Sequence, residues 1–198
     1  MKELSDYKLR KISKELEYCF NAATKQNIID GMNWYKNANG ICNAIAEKFN
    51  TTNLIAASVL SVLSPRNKWK QNILDAYKVF TAVQDGVRAD EIKVCTFHTN
   101  KYKAFAVAEG KVTITDKSLK TFNFVYNIAH LDNNFLTIDI WHLRACFNKS
   151  IKIGSAAIGR VAYSQIKALT QRNARALGMT GFEYQAILWC SVRENYEY

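Results

Sequence analysis

Residues 117–146 read KSLKTFNFVYNIAHLDNNFLTIDIWHLRAC, and this stretch carries the pair of charges from which the fold and the function can be argued. Its first half has helical apolar spacing, and Lys120 lies near the start of that predicted helix. Asp139 comes nineteen residues later and is a suitable N-cap for a second helix, predicted from 140 to 147. The pair is either a reactive centre or a solvated lysine and an ordinary helix cap.

The spacing allows Lys120 and Asp139 to meet. Ten helical steps from Lys120 to His130 cover about 15 Å, and the following eight residues span up to about 26 Å when extended. The chain can therefore return to the helix start, where the helix dipole favours a carboxylate and disfavours an ammonium. A lysine that has lost its proton is a good nucleophile. In a chain with 27 basic and 17 acidic residues, however, the same spacing also arises by chance.

The composition predicts an all-α fold. A length of 198 residues suits one domain, or one core with two lobes, and is enough for a substantial hydrophobic core. One proline and eight glycines leave few residues for hairpin turns, which favours helices over strands. We expect eight to ten helices in a single domain spanning residues 1–198, with no internal repeat.

Helix signals recur along the whole chain. Thr51, Thr52 and Asn53 are candidate caps for a buried helix, Asp116 is a candidate cap for the helix that carries Lys120, and Thr180 with Glu183 forms a capping box. A short extended piece is expected at 111–116, and an irregular segment with room for a short helix at 85–98. The predicted helices cover residues 2–24, 31–49, 54–63, 66–83, 99 or 100 to 109, 117–130, 140–147 and 182–195.

Charge and cysteine usage indicate the partner and the compartment. The net charge of +10 suits a binder of nucleic acid or nucleotides, although lysines that only keep the protein soluble give the same count. The five cysteines stand singly, without a metal-binding cluster, and are expected to be small core residues in a reducing cytoplasm. No apolar run is long enough to cross a membrane, so we expect no membrane partner.

Two motifs together resemble a known family. The lysine helix, its apolar return segment and TIDIWHLRA resemble the helix-hairpin-helix DNA glycosylase superfamily, and most of all its 8-oxoguanine DNA glycosylase branch. Residues 58–73, SVLSVLSPRNKWKQNI, resemble the helix end that in this family fills the gap left by a flipped base. The C-terminal GMTGFEYQAILWCSVRENY is similar to the tail of small phage-encoded relatives. The likeness is loose over 30–195 and strong over 117–146.

The chain departs from the family pattern in three places. Asp116 and Ser118 stand where the family hairpin has glycines, whose backbone N–H groups normally bind a DNA phosphate. Lys117 is close enough to Lys120 to compete as the nucleophile. Trp141 takes the place of the usual histidine after the aspartate, with His142 one residue further on. No iron–sulfur cysteines follow, which excludes the cluster-bearing branch.

The resemblance implies a two-lobed helical fold with a cleft, and a DNA glycosylase with AP-lyase activity that needs no cofactor or metal. Lys120 would attack C1′ of a nucleotide and Asp139 would stabilise the oxocarbenium-like charge. The partner would be duplex DNA with a flipped nucleotide, bound by a monomer in the cytoplasm, that of the host cell if the gene belongs to a phage. The expected base pocket contains Asn67, Trp69, Trp141 and His142, and the expected DNA contacts are Arg66, Lys68, Lys70, Lys117 and Arg144.

Other interpretations of these residues stay open. Trp34, Tyr35 and Trp189 are further stacking candidates, although each large ring is also suited to a core. The chain could instead be an enzyme of the same superfamily that modifies bases in phage DNA, or a DNA-binding protein without catalysis.

Overall fold

The computed structural model describes residues 3–147 and 158–194, which contain nine α-helices, one short 3₁₀ turn and no β-strand. The predicted all-α class and the predicted helix number are therefore confirmed for this part of the chain. The helices are α1 (Asp6–Asn21), α2 (Lys25–Lys48), α3 (Asn53–Leu63), α4 (Trp69–Gln84), α5 (His98–Ala108), α6 (Leu119–His130), α7 (Ile140–Cys146), α8 (Arg160–Ala176) and α9 (Gly181–Glu194), and the 3₁₀ turn is Ala89–Glu91.

The chain divides into two compact units. We call residues 1–36 and 132–198 the terminal unit and residues 37–131 the central unit. One boundary falls inside α2, after Lys36, and the other follows α6, after Leu131. Lys120 thus belongs to the central unit and Asp139 to the terminal unit.

The terminal unit is built around α9, which packs on α1, α7 and α8. Its core is made of branched aliphatic side chains, because these helices each present an apolar stripe to their neighbours. Gly31 of α2 allows a close approach, since a Cβ atom there would lie 2.5 Å from the backbone nitrogen of Ile187 in α9. The buried side chains of this core include Ile12, Leu16, Leu143, Ile166, Ile187 and Leu188.

The central unit is built around α3, which packs on α4, α5 and α6. Every residue from Ala56 to Leu63 is buried, so this helix is covered on all sides. Thr52 caps it by accepting a 3.2 Å hydrogen bond from the backbone N–H of Ile55. The helix predicted at 54–63 is confirmed and begins one residue earlier, at Asn53.

Two other predicted caps are confirmed in the terminal unit. Asp139 accepts a 2.9 Å hydrogen bond from the backbone N–H of His142 at the start of α7. The hydroxyl of Thr180 accepts from the N–H of Glu183 at 3.3 Å, and the Glu183 carboxylate accepts in return from the N–H of Thr180 at 3.1 Å. This reciprocal pair is the capping box expected from the sequence.

Several local predictions were wrong. The N-cap of α6 is Ser118, not Asp116, because the chain first makes a turn in which the N–H of Ser118 donates to the carbonyl of Thr115 at 3.2 Å. The helix predicted from residue 31 begins at Lys25, since Thr24 and Asn27 exchange hydrogen bonds of 3.0 and 3.1 Å.

Cys95 does not belong to the core. Its thiol is exposed, whereas Cys42 and Cys146 are buried as predicted. The helix α8 was not predicted as a separate element. The predicted helix start at residue 2 and the predicted end at residue 195 fall outside the described residues.

Candidate functional site

The predicted site residues fall into two groups, one in each unit. The central unit holds the predicted nucleophile and the basic turn before α4, and the terminal unit holds the predicted carboxylate and its neighbours on α7. The central group consists of Arg66, Asn67, Lys68, Trp69, Lys70, Lys117 and Lys120, and the terminal group of Asp139, Trp141, His142 and Arg144.

Lys120 lies in the first turn of α6 and is half-buried, whereas Lys117 lies in the preceding turn and is exposed. Within the described ranges, neither ammonium has an ion-pair partner. No acidic side chain stands in the first turn of α6, where Lys120 lies near the positive end of the helix dipole. Burial therefore distinguishes the two lysines.

Trp69 links the basic turn to the lysine helix. It begins α4 and is half-buried, and its ring centre lies 6.5 Å from that of Phe124, at an interplanar angle of 65°. Phe124 stands one turn after Lys120 on α6, and residues four apart lie on the same helix face. The structure thus brings together, within one unit, two sequence motifs that lie about fifty residues apart.

The basic turn between α3 and α4 has an unusual backbone. Arg66 has a φ of 58°, a left-handed conformation that costs energy for a residue with a Cβ atom. Its guanidinium lies 5.1 Å from the ring centre of Phe97. Lys68 and Lys70 flank Trp69 and are exposed. The turn therefore presents three basic side chains around a single large ring.

A buried carboxylate holds this turn in place. The side chain of Asp75 is fully buried and accepts from the Asn67 amide at 3.0 Å, from the Gln71 amide at 2.8 Å and from the backbone N–H of Cys95 at 2.8 Å. The ammonium of Lys78 lies 3.5 Å away. Asn67, predicted to line a base pocket, thus points its amide N–H towards Asp75.

In the terminal unit, Asp139 follows a buried segment, residues 136–138, whose backbone is hydrogen-bonded to the hydroxyl of Tyr163. The hydroxyl of Tyr163 donates to the carbonyl of Leu136 at 2.8 Å and accepts from the N–H of Ile138 at 3.1 Å. Thr137 between them is also buried. The chain is therefore fixed immediately before Asp139, and the direction of the carboxylate is set by this clamp and by the N-cap bond.

A second phenol lies close to the same carboxylate. Tyr35 donates a 2.9 Å hydrogen bond to Gln185, and both side chains are buried. Burial raises the pKa of the Tyr35 phenol, and the negative charge of Asp139 raises it further, while a hydrogen bond with Thr137 opposes the shift. Burial and Asp139 also raise the pKa of Tyr163. Both phenols stay neutral and can only donate or accept hydrogen bonds.

His142 is enclosed. Its side chain is fully buried, and Nε2 lies 3.0 Å from the hydroxyl of Thr170, which itself donates to the carbonyl of Ile166 at 2.9 Å. Nε2 is therefore the donor and Nδ1 carries no proton. Nδ1 is buried without a hydrogen-bond partner among the described atoms. Burial lowers the pKa of His142 to about 4. In this structure the imidazole faces the core rather than an open pocket.

The remaining predicted residues of α7 lie against each other. The guanidinium of Arg144 is 4.5 Å from the ring centre of Trp141, within the range of a cation–π contact. Arg144 is only 7% exposed, so its charge is largely covered, while Trp141 is half-buried. Trp34 packs edge-on against Trp189 at 5.0 Å in the same unit.

Sequence reasoning missed four residues of these networks: Asp75, Thr137, Tyr163 and Gln185. Only Asp75 carried a usable signal, because it falls on the same helical face as the buried Asn72, Ala76 and Val79. The other three take their roles from tertiary contacts that no local pattern encodes.

Neither a metal site nor a membrane-spanning helix was found in the part of the chain that the structure describes. No three histidine, cysteine or acidic side chains there are grouped so as to hold an ion. No helix combines the length and the apolar character needed to span a bilayer.

Comparison with known proteins identifies a family whose function is unknown. Residues 1–196 match a family of unknown function (DUF7178), and the chain belongs to that family. Neither a curated protein nor a solved structure matches the chain.

Proposed function

We propose that this family member is a DNA glycosylase with AP-lyase activity, in which Lys120 is the nucleophile and Asp139 its electrostatic partner. The proposal includes the two-lobed helix-hairpin-helix arrangement that the sequence resembles, with both residues acting on one flipped nucleotide. The observation that carries the proposal lies in the central unit. Lys120 is half-buried, has no ion-pair partner among the described residues, and stands on α6, the helix that Trp69 contacts.

The proposed reaction begins with the unprotonated amine of Lys120. Its nitrogen bonds to C1′ of the nucleotide as the N-glycosidic bond breaks, and the base leaves with the electron pair and takes up a proton. After the nitrogen loses a proton and the sugar ring opens, a Schiff base joins Lys120 to C1′. Removal of a C2′ proton then allows the C3′–O bond to break, which gives the strand cleavage of an AP lyase.

Asp139 would stabilise the positive charge that develops on the sugar. A carboxylate fixed by the helix cap and by the Tyr163 clamp does not need to reorient during the reaction, which is the basis of electrostatic preorganisation. Tyr35 and Tyr163 are neutral neighbours, so neither phenol adds a second negative charge beside the carboxylate. These features support a catalytic role beyond that of an ordinary cap.

Binding of a damaged duplex would use the basic turn. Trp69 is a ring that can enter the gap left by a flipped base. Arg66, Lys68 and Lys70 surround it and can contact phosphates, which supplies the sequence-independent part of DNA affinity. Asp75 keeps the turn in one conformation, so binding would need little reordering.

Borohydride trapping tests the proposal directly. The full chain is incubated with duplex oligonucleotides that each carry one modified base or an abasic site, and reduction converts the Schiff base into a stable adduct. We expect an adduct that is absent in Lys120→Gln and present in Lys117→Gln, which removes an equal charge three residues away. No adduct with any duplex, or an adduct that survives Lys120→Gln, would overturn the proposal.

Nucleoside mass spectrometry of the same reactions separates excision from base modification. Excision releases a free base and leaves the other nucleosides unchanged. A new modified nucleoside without a free base would instead assign the chain to the modifying enzymes of the superfamily.

A further inference from the structure

A groove in the terminal unit carries three arginines that the proposed site does not use. It has a volume of about 570 Å³ and runs between α1 and α8. Its floor is apolar, formed by Leu9, Ala168 and Leu169. Its polar lining consists of Asp6, Arg10, Gln165, Arg172 and Arg175.

The groove is positively charged, and its arginine side chains are exposed to solvent. Arg10, Arg172 and Arg175 are exposed, and among the described residues none of them has an ion-pair partner. Asp6 is the one carboxylate in the lining, so three positive charges and one negative charge leave a net charge of +2. The helix α8 contains four basic residues and no acidic one, so its surroundings add to the same field.

Hydrogen bonds hold the two walls of the groove together at both ends. At one end, Gln165 of α8 donates to the carbonyl of Leu4 at 3.0 Å and accepts from its N–H at 2.9 Å. At the other end, Ser13 of α1 donates to the side-chain oxygen of Asn173 at 3.2 Å. The groove is therefore preformed, and a ligand would not have to order its walls.

The spacing of the arginines suits a chain of anions. Arg172 and Arg175 stand three residues apart on one face of α8, with about 5–6 Å between their Cβ atoms, and Arg10 approaches from the opposite wall. Guanidinium groups bind phosphates in a bidentate manner. The apolar floor suits the C–H surface of the sugars between two phosphates.

From these observations we infer that the α1–α8 groove binds the phosphodiester backbone of DNA, at a site separate from the residues proposed for catalysis. This inference rests on the proposed action on DNA and adds a second contact region to it. The groove would contribute affinity and salt dependence without reading the base sequence.

The experiment measures DNA affinity as a function of salt. Fluorescence anisotropy gives the association constant of the full chain for a labelled duplex between about 50 and 200 mM salt. The test variant is Arg10→Gln/Arg172→Gln/Arg175→Gln. The matched control, Lys25→Gln/Lys48→Gln/Lys103→Gln, removes three exposed charges that do not line the groove. Circular dichroism checks that both variants are folded.

Each phosphate contact contributes about 0.9 to the slope of log affinity against log salt. We therefore expect the slope of the groove variant to be smaller by about 2 to 3, and that of the control by less than about 1. Wild-type protein without DNA affinity would overturn the proposed function together with this inference. Wild-type DNA binding with the same slope in the groove variant would overturn the role of the groove in DNA binding and leave the proposed function standing.

Discussion

The side-chain amide of Asn67 donates a 3.0 Å hydrogen bond to the buried carboxylate of Asp75, and this contact fixes the basic turn to the inner face of α4. The same carboxylate accepts the backbone N–H of Cys95, so one side chain holds two loops. A buried acceptor with several donors acts as a unit, since the removal of its charge leaves more than one donor without a partner.

Asp75→Asn should destabilise the protein strongly. The new amide N–H₂ group would face donors, so at least one of the groups on Asn67, Gln71 and Cys95 would lose its acceptor. We expect the free energy of unfolding to fall by about 3 kcal/mol, measured by urea denaturation. Asp85→Asn, at an exposed position, should change it by less than about 0.5 kcal/mol. Equal effects of the two substitutions would contradict the role of Asp75.

Tyr163→Phe removes only the hydroxyl that clamps the chain before Asp139. The carbonyl of Leu136 and the N–H of Ile138 would both lose a buried partner, so we expect a loss of about 1–3 kcal/mol in the free energy of unfolding. The rate of borohydride trapping should fall as well, because the carboxylate is less well placed. Tyr18→Phe, at a residue that is 70% exposed, serves as the control. A normal trapping rate in a destabilised Tyr163→Phe would limit Tyr163 to a structural role.

Asp139→Asn separates the helix cap from the proposed chemistry. Asparagine caps a helix about as well as aspartate, so the hydrogen bond from His142 should persist and the free energy of unfolding should change by less than about 1 kcal/mol. The trapping rate should nevertheless fall by about a hundredfold or more, because the negative charge is lost. Asp139→Ala should lose both the rate and about 1 kcal/mol of cap energy. Full trapping activity in Asp139→Asn would show that the residue is only a cap.

These residues also show what the sequence could and could not predict. Asp139 was predictable as a cap, because capping depends on a few neighbouring positions, and the capping box of Thr180 and Glu183 was predictable for the same reason. Tyr163 was not, since its partners Leu136 and Ile138 lie about 25 residues earlier in the chain.

The start of α6 shows how local rules can fail. Asp116 and Ser118 are both good N-cap residues, and the intervening turn, rather than residue type, selects Ser118 as the N-cap. Propensity therefore predicts the helix itself but leaves its boundary open by about two residues. For Lys120 this matters, because the later start places it in the first turn of α6.

Acid should destabilise the protein through His142. Burial lowers its pKa from 6.5 to about 4, so between these pH values the unfolded chain binds more protons than the folded one. The contribution of His142 to stability is present above pH 6.5 and is lost as the pH falls to about 4, by roughly 3 kcal/mol. Urea denaturation across this range should show a shallower pH dependence for His142→Gln. A curve for His142→Gln that runs parallel to the wild-type curve would contradict this role of His142.

The two glycines of α2 should respond in opposite directions to the same substitution. A Cβ atom at Gly31 would lie 2.5–2.6 Å from backbone and side-chain atoms of Ile187, and backbone atoms of a packed helix cannot move aside cheaply. We expect Gly31→Ala to lower the free energy of unfolding by about 3 kcal/mol or more. At Gly40 a Cβ atom would meet no other atom within 4 Å, so Gly40→Ala should raise the free energy by about 0.5–1 kcal/mol through helix propensity alone. Thermal and urea unfolding measure both variants. A Gly31→Ala protein as stable as Gly40→Ala would show that α2 and α9 do not approach each other as closely as the structure describes.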